Sequence, residues 1–148
     1  MIRINYWAVG AAAVAMLVAS SVYYSVFGGV WSSLRGEPTT RPELWEAAAQ
    51  LGRNVVVVLA LAALLSRLRV GTLPGALGLG VTVWLGFQAM AVAGSVLHED
   101  YPAGLYVLHI GDSLMCTLLA VAILAAWRPA ASGAGARTDA RLEEVASS

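Results

Sequence analysis

Lysine is absent from this chain, cysteine occurs once, and only 12% of the residues are charged. The single cysteine, Cys116, excludes an intramolecular disulfide, and within its apolar run it is expected to act as a small hydrophobic side chain. About a quarter of the residues in an average soluble domain are charged, so the shortage of charge argues against a soluble domain. The formal net charge is zero and no basic patch occurs, so no nucleic-acid partner is predicted.

Sequence motifs for common cofactor and metal chemistry are missing too. The chain has no P-loop, no nucleophile elbow and no dinucleotide-binding glycine motif. His109 and Asp112 are two candidate metal ligands, but no convincing third ligand accompanies them. The sequence therefore predicts neither a metal site nor a cofactor.

Apolar residues are in excess, at 59% of the chain with a mean hydropathy of +0.72. They form four long runs, at approximately residues 6–27, 44–68, 73–97 and 103–127. A helix of about 20 apolar residues crosses the hydrocarbon core of a bilayer. The sequence therefore predicts an all-α fold, an integral membrane four-helix bundle with short loops, within residues 1–129.

Turn signals and composition set the edges of this domain. The pair Gly28-Gly29 favours a turn and predicts the end of the first helix. A signal peptide is the alternative for the first run, but its apolar region would be shorter, and residues 19–21 make a poor cleavage site. Residues 130–148 are small and polar and cannot bury enough apolar surface to fold alone, so a disordered C-terminal tail is predicted.

Arginines near the ends of the spans predict the orientation in the membrane. Four lie at the end that carries the N-terminus: Arg3, Arg67, Arg69 and Arg128. Two lie at the opposite end: Arg35 and Arg41. The positive-inside rule therefore favours a multi-pass protein of the cell membrane with both termini in the cytoplasm.

The fourth run carries His109 and Asp112 about one turn apart. An ionisable residue inside a membrane span is costly and marks a functional site by default. Counted inward from the outer helix ends, Ser20, Arg53, Gln88 and Asp112 all lie roughly 10–15 Å deep at 1.5 Å per residue. This pattern predicts a polar centre in the outer half of the bilayer, with Arg53 facing Asp112.

Candidate site residues follow from this polar layer, in which Glu46 is also expected to lie near His109. The predicted ligand-binding residues are Gln50, Arg53, Asn54, Trp84, Gln88, Tyr106, His109 and Asp112. The catalytic candidates are Tyr24, Glu46, His109 and Asp112. Three interpretations stay open: a purely structural buried ion pair that fixes the helix register, a site for a ligand, proton or ion, and an active site.

Two functions are compatible with these residues. The first is a non-enzymatic membrane protein that binds or moves a small solute or a proton, as a homo-oligomer. The small residues Gly78, Thr82 and Gly86 repeat every fourth position and would pack against a neighbouring helix. The second is a small intramembrane enzyme, an acid–base isomerase or cyclase acting on a lipophilic substrate. The expected partners are the lipid bilayer, a lipophilic small molecule and further copies of the chain.

Two stretches resemble a known family. Residues 24–28 read YSVFG, with Trp31 shortly after, and residues 105–128 contain Gly111 and end in Ala-Trp-Arg. Together they resemble small bacterial membrane proteins catalogued as a domain of unknown function, DUF1761, over roughly residues 5–128. The resemblance implies a four-helix integral membrane protein and no particular activity. In the family pattern an acid precedes the glycine and a histidine follows it, whereas here the histidine precedes Gly111 and the aspartate follows it.

Overall fold

The computed structural model describes residues 5–36, 43–98 and 102–127. Its helices are α1 (Tyr6–Arg35), α2 (Leu44–Arg67), α3 (Leu73–Val83), a π-helix (Trp84–Ala89), α4 (Met90–His98) and α5 (Ala103–Ala126). The segments from α3 to α4 run on as one third span, Leu73–His98, so four helices are long and apolar enough to cross a membrane. The prediction of an all-α fold with four spans is confirmed. The predicted tail, residues 130–148, lies outside the described residues.

Helix α1 continues past Gly28-Gly29, where the sequence predicted its end. The helix is unbroken there, and the Ser32 hydroxyl donates back to the carbonyl of Gly29 at 3.1 Å. A glycine in a helix interior costs only about 1 kcal/mol, whereas each backbone group left unsatisfied in lipid costs several kcal/mol. The helix ends at Gly36, whose φ of 72° is a left-handed conformation that glycine adopts without strain.

Helix α2 begins at Leu44 with two glutamates at its cap. The backbone N–H of Glu43 donates to Glu46 Oε2 at 2.9 Å, and Trp45 Nε1 donates to Glu43 Oε2 at 2.7 Å. A glutamate three residues into a helix that accepts from the capping residue is a capping-box arrangement. Glu46 is exposed on the chain, and the structure gives it this capping role rather than a contact with His109.

Helices α1 and α5 pack antiparallel along their length and form the centre of the bundle. Asn5 Nδ2 donates to the carbonyl of Trp127 at 3.3 Å, and we call this end of the bundle the termini end. At the opposite end, the far end, a Cβ on Gly104 would lie 2.8 Å from Leu34. Fully buried small residues allow this close packing of the helices: Ala12, Ala13 and Ala120.

Helix α2 approaches the third span only near the termini end. Among the described residues, α-carbons of α2 come within 8 Å of α-carbons in α1, α5 and α3, and none comes this close to the π-helix or α4. The π-helix and α4 pack on α5 instead. The far-end half of α2 and the far-end half of the third span are therefore not in direct backbone contact, and both lie beside α5. We call the region of α5 between them the lateral gap.

Candidate functional site

Asp112 lies in the interface between α1 and α5, with 7% of its surface exposed. The Ser20 hydroxyl of α1 donates to Asp112 Oδ2 at 3.1 Å. The Cys116 thiol, one turn further along α5, lies 3.8 Å from Asp112 Oδ1 and 3.6 Å from the carbonyl of Met16. These contacts come from neutral donors, and a buried carboxyl is stable only when its oxygens accept hydrogen bonds.

A cluster of aromatic rings covers the far-end side of Asp112. A Cβ at Gly111 would lie 2.7 Å from the Tyr23 hydroxyl oxygen, so glycine at this position allows the Tyr23 hydroxyl to approach the backbone of α5 closely. Tyr23 in turn contacts the rings of Tyr24 and Phe27, with centroids 5.6 and 4.7 Å apart. The aromatic side chains of α1 and the glycine of α5 thus form one packing unit beside the carboxyl.

His109 lies one turn before Asp112 and contacts α1 through Tyr24. The two ring centroids are 6.1 Å apart in an edge-to-face arrangement. His109 Nδ1 lies 2.9 Å from the carbonyl of Leu105. Because a carbonyl only accepts, this contact places the proton on Nδ1. The structure therefore brings together three of the four catalytic candidates, Tyr24, His109 and Asp112. The fourth, Glu46, lies at the cap of α2.

The π-helix supplies a second set of polar contacts to α5. Trp84 Nε1 lies 3.0 Å from both the carbonyl of Ile110 and the Ser113 hydroxyl. Gln88 Nε2 donates to Thr117 Oγ1 at 3.0 Å, one turn further along α5. Single-turn π-helical insertions inside α-helices are frequent at functional sites. Here the insertion carries both predicted polar residues of the third span, and both contact α5.

Tyr106 also joins the π-helix to α5. Its hydroxyl lies 3.5 Å from the carbonyl of Ala89, the last residue of the π-helix. This is a long hydrogen bond, at the limit of what counts as one. It places a third predicted site residue, after Trp84 and Gln88, at the contact between the third span and α5.

On α2 the structure turns Asn54 inward and leaves Arg53 at the surface. Asn54 is 2% exposed, and its Nδ2 donates to the carbonyl of Ala13 at 3.4 Å. The buried stripe of α2 follows helical steps of three and four residues: Asn54, Val58, Leu61 and Leu65. Arg53 precedes this stripe by one position, about 100° around the axis at 3.6 residues per turn, and is exposed.

Arg53 and Asp112 therefore do not form the predicted buried ion pair. No hydrogen bond or ion pair within 4.0 Å joins Arg53 to any residue in the described part of the chain. The contacts of Asn54 with Ala13 and of Asp112 with Ser20 are seven residues apart on α1. At 1.5 Å per residue, Arg53 thus lies roughly 10 Å nearer the termini end than Asp112. The sequence count placed both at one depth because it took the outer ends of α2 and α5 to be level.

Arg53 lies on the flank of the buried stripe of α2. Val57, one turn further along the same face, packs against the hydrophobic core. Gln50, one turn nearer the far end on that face, is half-buried. Arg53 and Gln50 therefore lie at the edge of the packed face of α2.

Several residues that take part in these contacts were not among the candidates from the sequence: Ser20, Tyr23, Ser113, Cys116 and Thr117. Ser20 was in the predicted depth layer, and that signal could have placed it in the site. Ser113 and Cys116 share a helix face with His109, and that signal could have found them as well. Tyr23 and Thr117 look like ordinary belt or helix residues in the sequence, and only the packing of α5 reveals them. Within the described residues, no group of three or more His, Cys, Asp and Glu side chains could hold a metal ion.

Four membrane-length helices with polar contacts between them define a multi-pass membrane protein with a polar layer inside its bundle. The chain belongs to the family described as "Protein of unknown function (DUF1761)", whose sequence model matches residues 7–125. This match confirms the family resemblance read from the aromatic motif of α1 and the last helix. No curated protein and no solved structure matches the chain.

Proposed function

We propose that this membrane protein binds the polar end of a small lipophilic solute in the lateral gap, against the polar layer of α5. The observation that carries the proposal is the separation of α2 from the π-helix and α4 in the far-end half of the bundle. Ligand sites in helical bundles are commonly built between helices, with a few polar groups on an apolar wall. A gap that opens sideways into lipid suits a solute that partitions into the bilayer.

The polar groups around the gap divide into fixed and accessible ones. Trp84 and Gln88 have hydrogen-bond partners on α5, which hold them in place. Gln50 and Arg53 have no such partner among the described residues. Preorganised groups lower the entropic cost of binding, and groups without partners supply new hydrogen bonds. This combination supports a binding site better than it supports a purely structural polar layer.

Transport of a proton or solute is the extended form of this proposal. Asp112 is a carboxyl in a membrane span, and such residues mark ion and proton pathways. Loss or uptake of a proton at Asp112 would change the hydrogen bond from Ser20, and with it the contact between α1 and α5. Release of the bound solute, coupled to this change in the contact between α1 and α5, would amount to transport of the solute.

Cross-linking with a long-chain alcohol that carries a photoreactive diazirine tests the proposal. We expect labelled peptides from residues 50–53 and 109–113 in excess over the exposed α1 face that contains Val14, Val18 and Val22. Competition by the unlabelled alcohol should reduce only the labelling at the gap. Uniform labelling of all exposed helix faces, with no competition, would show ordinary lipid contact and would contradict a binding site.

An intramembrane acid–base enzyme is the second candidate. The observation that favours it is the contact between the rings of Tyr24 and His109, one turn from Asp112. Proton transfer requires such groups within about 3 Å of the reacting atom of the substrate. Membranes that contain the native protein would then convert a lipid component into an isomer of equal mass. Membranes that contain the His109→Gln variant would not. If the bound lipophile is recovered unchanged after long incubation, binding remains and catalysis is excluded for that compound.

A further inference from the structure

We propose that the turn after α2 binds the phosphate of an anionic phospholipid head group through Arg67 and Arg69, at the termini end of the bundle. This surface is separate from the lateral gap, which lies in the far-end half. The inference goes beyond the solute site and names the class of lipid that the protein binds at its boundary with water.

The first observation is the backbone conformation of Arg69. In the described part of the chain it is the only residue other than glycine with a positive φ, at 52°. The N–H of Arg69 donates to the carbonyl of Ser66 at 3.3 Å, and the N–H of Val70 donates to that of Leu65 at 3.1 Å. These two bonds define a Schellman motif, whose left-handed position is usually a glycine. Glycine occupies the left-handed position at the end of α1, at Gly36. The turn after α2 thus holds an arginine where a glycine would be less strained.

The second observation is that the reason for this arginine lies in its side chain. The turn itself is fixed by Val70, which packs against the hydrophobic core. Arg67 and Arg69 are both exposed, and neither has a hydrogen bond or ion pair with another described residue. Residues held in unfavourable backbone conformations concentrate at binding sites, where the side chain is needed at that place. A ligand outside the chain would supply the partner for these two charges.

The third observation is the distribution of charge between the two ends of the bundle. The acidic side chains of the described residues are Glu43 and Glu46, at the far-end start of α2, and Asp112, within α5. None of them lies at the termini end. Two further arginines adjoin this end in the sequence, Arg3 before α1 and Arg128 after α5. The complementary ligand for the termini end is therefore an anion.

The fourth observation is the level of this turn in the membrane. Trp7 and Trp127 lie at the same end and are 87% and 50% exposed. Exposed tryptophan rings of membrane proteins concentrate at the level of the lipid head groups, where the lipid phosphates also lie. The planar guanidinium presents a fork of N–H groups that matches two phosphate oxygens. The anion that fits this position is therefore the phosphate of a phospholipid.

Thermal melts of the full chain in detergent test the proposal, with added dioleoyl phosphatidylglycerol or dioleoyl phosphatidylcholine. Native mass spectrometry of the same samples gives the affinity for each lipid. The variants are Arg69→Gly, Arg69→Asn and Arg67→Gln. Asparagine tolerates the left-handed conformation, so Arg69→Asn removes the charge with little change in the backbone. The matched control is Arg35→Gln, at an exposed arginine in the last turn of α1, at the opposite end of the bundle.

We expect phosphatidylglycerol to bind the native chain more tightly than phosphatidylcholine and to raise its melting temperature. In phosphatidylcholine, Arg69→Gly should melt about 2–6 °C above the native chain, because glycine relieves the left-handed strain. The same variant should bind phosphatidylglycerol about fivefold more weakly, the effect of one arginine near an anionic lipid surface. Arg69→Asn and Arg67→Gln should weaken this binding to a similar extent, and Arg35→Gln should leave it unchanged.

Four results would overturn the inference. If Arg69→Gly binds phosphatidylglycerol as tightly as the native chain, the arginine has no role in lipid binding. If Arg69→Gly melts below the native chain in phosphatidylcholine, the arginine stabilises the fold itself. If Arg35→Gln weakens binding as much as Arg67→Gln, the lipid responds to general surface charge. If inorganic phosphate raises the melting temperature as much as phosphatidylglycerol does, the turn binds a soluble anion and not a lipid.

Discussion

Ser20 of α1 donates its hydroxyl to the carboxyl of Asp112 on α5, at 3.1 Å and with both residues buried. This hydrogen bond crosses the central interface of the bundle. It gives the most polar side chain of α5 a neutral partner, where the sequence suggested a cationic one. The energetic consequences are different, because a neutral donor fixes the carboxyl without neutralising it by a second charge.

Replacement of Ser20 by alanine should destabilise the bundle. The substitution removes the hydroxyl donor and leaves Asp112 Oδ2 buried, which costs about 1–3 kcal/mol for an unsatisfied buried polar group. Thermal unfolding in detergent measures the effect. The matched control is Ser21→Ala, because the exposed Ser21 hydroxyl bonds only to the carbonyl of Leu17 in its own helix. Equal melting temperatures for the two variants would contradict a stabilising role of the Ser20 contact.

Replacement of Gly111 by alanine should displace the Tyr23 ring. The new Cβ would lie 2.7 Å from the Tyr23 hydroxyl oxygen, and overpacking of this kind costs about 1–3 kcal/mol. In the double variant Gly111→Ala with Tyr23→Phe, the Tyr23 hydroxyl oxygen that meets the new Cβ is absent. The double variant should therefore be more stable than Gly111→Ala alone. The control is Gly78→Ala, where a Cβ meets nothing within 4 Å. It should be neutral or slightly stabilising, because alanine favours helix by about 1 kcal/mol over glycine.

A double-mutant cycle between Arg53→Gln and Asp112→Asn should give a weak coupling. No ion pair joins the two side chains, so only a longer-range electrostatic interaction remains, and we expect about 1 kcal/mol or less in unfolding free energy. A directly paired buried arginine and aspartate would instead each cost about 3–5 kcal/mol when the partner is removed. Measured coupling in that higher range would show that the two groups meet in the membrane.

Labelling of introduced cysteines should define the orientation, which the arginine distribution predicts. In a Cys116→Ala background, Ser33→Cys at the far end of α1 should react with an impermeant maleimide on intact cells. Gly71→Cys, between α2 and α3, should react only after the membrane is permeabilised. Both positions are exposed on the chain. The reverse labelling pattern would place both termini outside the cell and refute the positive-inside prediction.

Much of the fold could be predicted from the sequence, because each membrane span is encoded locally. The apolar runs predict four helices from length and composition alone, and the helices begin and end close to the predicted residues, except for α1. The aromatic stretch near Tyr24 and the glycine before Asp112 also predicted the family. The error at Gly28-Gly29 has a local cause: turn preferences measured in water count for less where unsatisfied backbone groups are costly.

The site could be predicted only in part. Asp112, His109, Trp84 and Gln88 were found because polar residues inside apolar runs are rare and therefore conspicuous. The roles of Ser20 and Cys116 as partners of Asp112 could not be predicted, although Ser20 lies in the predicted depth layer, because serine and cysteine are common residues in membrane helices. The sequence also did not determine which of two adjacent polar residues of α2, Arg53 or Asn54, faces the interior. In the structure Asn54 is buried.

The sequence by itself determined the class of protein, the number of spans and the helix that carries the central carboxyl. These properties depend on the order of residues within one helix. Only the tertiary structure decided the axial offset of α2, the contacts of the π-helix with α5 and the lateral gap. Those features depend on the packing of all four helices together. If one helix shifts along its axis by one turn, it loses many weak contacts and forms many others at the same time. No single segment encodes the sum of these contacts, so the exposed position of Arg53 next to the buried Asn54 follows from the assembled bundle.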